Sequence, residues 1–89
     1  MSETTTKSAQ FWVRTMRAQA RRAAKAKVWS NRMRLWLSMR DRHAAGTEGW
    51  ADCDNTARVC GARASAFIAL RDGDIRRARA CRAVERRFA

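Results

Sequence analysis

From Ala9 to Ala45 the chain runs 37 residues without a glycine or a proline. Ala and Arg dominate that stretch, and both are among the strongest helix formers. Continuous, it would reach about 55 Å at the α-helical rise. So long an unbroken helix-forming segment narrows the chain to helical architectures. The Ser30-Asn31 pair is its one weak point, where a second helix could start.

Punctuation on either side sets the rest of the organisation. Residues 1–7 read as a flexible polar arm, and Ser8 as a helix N-cap. Gly46 suits the left-handed position that ends a helix, and Thr47 suits the cap of the next. Asp72-Gly73-Asp74 supplies a second stop and start. The sequence therefore predicts a single helical domain over residues 8–89, with helices over about 9–45, 48–71 and 75–87. A link as short as Gly46-Thr47 makes the first two helices antiparallel neighbours.

Alternating steps of four and three connect apolar or small residues along each helix. The first visits Trp12, Met16, Gln19, Ala23, Ala26, Ser30, Met33, Leu37, Arg40 and Ala44, most of them apolar or small; the second Trp50, Cys53, Ala57, Cys60, Ala64 and Phe67. The third carries Ile75, Ala78, Cys81, Val84 and Phe88. Such rows predict coiled-coil-like seams whose small residues let helices approach closely. The expected fold is all-α: a long antiparallel helical hairpin with a short third helix, a small bundle. Large apolar side chains are scarce, since Leu, Ile, Val and Phe together number 12 of 89. A core that thin, offset by chain entropy, leaves little net stability. A homodimer or another bound partner is therefore expected. Phe67 to Val84 (FIALRDGDIRRARACRAV) resembles the turn of one tetratricopeptide helix pair, but the upstream aromatic signature and the repeat of about 34 residues are missing.

Several function classes are excluded at this level. No run of 18 apolar residues exists to span a membrane, and MSETTTKSAQ lacks the charged and apolar regions of a secretory signal. Three cysteines, an odd number, do not close a disulfide framework, which points to a reducing cytoplasm. His43, Cys53, Cys60 and Cys81 are the right types for zinc, yet no Cys-x-x-Cys pair occurs, and Cys53 and Cys60 would stand about 10 Å apart along one helix. They read as core thiols, with no metal or cofactor. No glycine-rich phosphate loop or activated nucleophile is evident, so no enzyme is expected.

What remains is charge. The chain carries 20 Lys+Arg against 8 Asp+Glu, a net +12, of which +9 falls in residues 1–44. At about 100° per residue, Arg14, Arg17, Arg21, Lys25 and Arg32 fall within an arc of roughly 80°. A stripe of that kind matches a phosphate backbone, where each neutralised phosphate releases counterions. Arg22, Lys27, Trp29 and Arg34 lie around it, and Trp29 and Trp36, one heptad apart, could stack on bases. The expected function is therefore a small, non-enzymatic nucleic-acid-binding protein that uses the first helix. The alternative is a small adaptor or inhibitor of the phage or mobile-element type, docking its basic, Trp-containing surface on an acidic protein patch. Arg outnumbers Lys 17 to 3 and Ala is the commonest residue, so GC-rich codon usage accounts for part of the charge.

Overall fold

The computed structural model describes residues 2–89, with side chains from Lys7 onward. It is all-helical: α1 spans Ser2–Arg40, α2 Glu48–Arg71 and α3 Ile75–Phe88. The polar arm expected over residues 1–7 is helix from Ser2 on, and Met1 lies outside the described residues. Ser8 is thus interior to α1. No breaker separates it from Ser2, and lengthening an existing helix costs far less than nucleating one.

The other end of α1 falls short of the expected Ala45. Its last turn tightens, with Arg42 N–H donating to Met39 O and His43 N–H to Arg40 O, at 3.1 and 2.9 Å. Residues 41–47 form the turn instead. Gly46 takes φ 83°, and the Thr47 hydroxyl accepts from the Trp50 amide to cap α2. Asp72 ends α2, Gly73 takes φ 74°, and the Asp74 carboxylate accepts from the Arg77 amide at 3.0 Å to cap α3.

Contacts between α1 and α2 run in opposite directions along the two helices. Arg40 reaches Asp54, Met33 lies against Gly61, Lys25 lies over Phe67, and Arg22 reaches Leu70. A Cβ on Gly61 would stand 2.9 Å from the Met33 sulfur, so the missing side chain is what admits Met33 there. Among the described residues, α3 packs on α2 alone. The three helices therefore lie side by side in one layer, 67 × 22 × 13 Å across its Cα atoms, one helix thick.

That layer has a core of unusual composition. Its buried residues are Ala26, Cys53, Ala57, Cys60, Ala62, Ala64, Ala66, Ala69 and Ala78, and nothing larger. Small side chains bring the axes close and leave the large ones on the flanks of each contact. Trp12 and Met16, at the head of the expected first-helix seam, are not in it: α2 ends at Arg71, opposite Gln19. Beyond that point α1 continues alone, with Phe11, Trp12, Val13 and Met16 between 45% and 64% exposed.

Candidate nucleic-acid interface

The charges sort by helix. From the sequence within each element, α1 carries +9, α2 is neutral and α3 carries +5. Two positive helices thus form the outer edges of the layer, and a neutral one separates them.

Neutrality in the middle is maintained by ion pairs. Asp54 accepts from Arg40 at 2.8 Å and from Arg58 at 2.9 Å, joining the end of α1 to α2. Arg58, then Arg40, holds the Asp54 carboxyl below the usual carboxylate range. Arg40 also lies 5.1 Å from the Trp50 ring centroid. Arg63 binds Glu85 at 2.5 Å, tying α2 to α3, and Arg71 pairs with its neighbour Asp72.

The stripe residues behave differently. Arg14, Arg17, Arg21, Lys25 and Arg32 are all exposed, and none forms an ion pair among the described residues. The same holds for Arg76, Arg77, Arg79, Arg82, Arg86 and Arg87 of α3. Their cationic groups are open to an external anion, with Lys25, Arg32 and Arg87 also lying over the Phe67, Trp29 and Phe88 rings.

The four residues expected around the stripe do not join it as one surface. Arg22 is half-buried and donates to the Leu70 carbonyl at 3.1 Å, an oxygen at the end of α2 that also accepts from the Gly73 amide. Lys27 and Arg34 are exposed, but each lies about 160° round the helix from Lys25 and Arg32, on the opposite flank of α1. Trp29 is half-buried, with the Arg32 and Arg63 guanidinium groups each 4.5 Å from its ring centroid. A base stacking there would compete with those guanidinium groups. The ring instead works as a platform that orients Arg32 and Arg63 while leaving N–H donors at its margin.

Beside Trp29 lies a groove of about 230 Å³, lined by Arg63, Ala66, Phe67, Leu70, Arg82 and Glu85 as well. Lys25 adds a cation 5.5 Å from the Phe67 ring centroid. Arg82 extends the positive surface onto α3, while the charge of Arg63 is balanced by Glu85 in the same groove. Periodicity within the first helix could not have found them, because they arrive by tertiary packing.

The zinc-type residues are dispersed. Cys53 and Cys60 are buried in the α2 core, Cys81 is half-buried, and His43 lies over Gly49 in the turn. Burial pushes the Cys60 thiol above its ordinary range. No helix of the described residues is long and apolar enough to cross a membrane. Comparison with known proteins finds no matching family model, curated protein or solved structure.

Proposed function

We propose that this chain is a small, non-enzymatic nucleic-acid-binding protein that grips the phosphate backbone without reading bases. The observation that carries the reading is the division of labour among its cations. Arg40, Arg58, Arg63 and Arg71 are consumed by internal ion pairs, whereas Arg14, Arg17, Arg21, Lys25 and Arg32 form an exposed line with no ion-pair partner among the described residues. Arg32, held on Trp29, turns that line towards Arg82 on α3. Unpaired guanidinium groups on both edges of a flat layer suit a rod-like polyanion laid across it.

The proposed setting is the cytoplasm, which the free thiols support, and the proposed working form is a homodimer. The test is fluorescence anisotropy of a short random duplex with nucleic-acid-free protein at several salt concentrations. Five neutralised phosphates predict a log–log salt slope of about −4.5, and the double reversal Arg17→Glu with Arg21→Glu lowers its magnitude by about 2. Circular dichroism should show the helices intact in that variant. Binding confined to the lowest salt, or indifferent to the reversals, overturns the reading and turns the search to acidic protein patches.

A further inference from the structure

The groove beside Trp29 joins an apolar trough to the basic stripe. The Trp29 ring stands on its α1 side, and Phe67 and Leu70 form its floor on α2. The rim is cationic. Lys25 lies 5.5 Å from the Phe67 ring centroid and Arg32 4.5 Å from that of Trp29, so two members of the stripe border the groove directly. Arg82 stands on the α3 side. Between these cations the charge cancels, because Arg63 is paired there with Glu85.

We propose that this groove holds one unpaired base of a single-stranded nucleic acid, while the neighbouring phosphates lie on Lys25, Arg32 and Arg82; resting on the phosphate-binding function above, this makes single strands the preferred form. A nucleotide has the same pattern as the groove, a neutral ring between charged phosphates. At about 230 Å³ the groove is smaller than the roughly 300–1,000 Å³ of sites for drug-sized ligands, and it suits one flat ring rather than a helix. Arg32 and Arg63 already occupy the Trp29 ring, so the base lies on Phe67. Lys25 then moves on its flexible stem from that ring to a phosphate. Contact between a base and an aromatic ring tolerates any base, so binding stays indifferent to sequence.

Glu85 decides against other occupants. It would repel a bare carboxylate or phosphate inside the groove, whereas a base offers N–H groups that its oxygens can accept. An acyl chain would leave that carboxylate facing hydrocarbon. The stripe separates a nucleic acid from an acidic peptide: Arg14, Arg17, Arg21 and Lys25 recur at about 4.5 to 6 Å along α1. Such regularity matches a polymer with a charge on every unit better than acids at irregular positions. A duplex keeps its bases stacked inside and out of reach, so it engages the stripe alone.

The test compares three labelled probes of equal length by fluorescence anisotropy at about 150 mM salt. They are oligothymidylate, the same strand with every nucleotide abasic, and a duplex. Phosphate contact alone favours the duplex, whose charge density is higher. With a base in the groove, oligothymidylate should bind about fivefold or more tighter than the abasic strand, and tighter than the duplex. Phe67→Leu keeps an apolar floor without the ring, and should bring oligothymidylate down to the affinity of the abasic strand. Because Phe67 is half-buried, a second measurement uses the wild-type chain. A strand carrying 5-iodouracil, irradiated in the complex, should cross-link within the tryptic peptides 28–32 or 64–71, which contain Trp29 and Phe67. Equal affinity for the base-bearing and abasic strands, a duplex bound more tightly than the single strand, or cross-links confined to Phe11 and Trp12 each overturns the proposal and leaves the phosphate-binding reading standing. Failure of all three probes to bind overturns both, and acidic peptides become the next probe.

Discussion

The two halves of α1 make an instructive pair. Residues 22–40 and residues 7–18 belong to the same helix, and both are rich in Ala and Arg. The first half is paired: Arg22, Ala26, Met33 and Arg40 each meet α2, and Ala26 is buried. The second half meets almost nothing, and it holds the largest exposed apolar residues of the chain. Helix propensity cannot tell the halves apart. Their difference comes from α2, which is 24 residues long against 39 for α1. A helix in water gains most of its stability from packing, and one of about 12–15 residues alone is marginal. One half is therefore a structural element, and the other is an exposed helical surface.

The sharpest way to break this comparison is to change side-chain size in both halves. Ala26→Leu forces a branched side chain into a contact only 3% exposed and should cost about 1–3 kcal/mol by overpacking. Phe11→Ala in the overhang should fall within about 0.5 kcal/mol, as exposed substitutions do. Thermal unfolding of both variants measures the gap. Equal losses would mean that the overhang packs as tightly as the hairpin.

Next in size is the cap that places α3. Asp74→Ala removes the acceptor for the Arg77 amide and should cost about 1 kcal/mol, read as a lowered urea midpoint with unchanged slope.

Hydrogen exchange sharpens the same contrast without a stability change. Amides of residues 7–17 should exchange as in an isolated helix, far faster than those of residues 24–37.

The smallest expected effect is electrostatic. Asp54 is held below the usual carboxylate range, so its contribution is present above the unfolded carboxylate value of about 3.9 and is lost as pH falls through the lowered folded value. Asp54→Asn should flatten the acid limb of a stability–pH curve. It should leave binding to nucleic acid at neutral pH unchanged, since Asp54 serves the hairpin and not the stripe.

How much of this was legible beforehand differs by element. The all-helical character, the Thr47 and Asp74 caps and the left-handed glycines follow from local chemistry, because each involves residues within a few positions of one another. The ends of α1 do not. Its start depended on propagation through a Thr-rich segment, and its finish on how many residues the reversal into α2 consumes. Of the nine candidate binding residues, the helical wheel groups Arg14, Arg17, Arg21, Lys25 and Arg32 from sequence alone. It could not foresee that Arg22 would bond Leu70, or that Trp29 would hold Arg63.

By itself, then, the sequence determined that this chain is helical, strongly positive and poor in large core residues, since composition and short-range periodicity govern all three. Only the tertiary structure decided which cations stay free and which apolar residues stay bare. Both depend on where a neighbouring helix begins and ends: α2 neutralises what it touches with Asp54 and covers α1 only as far as Gln19.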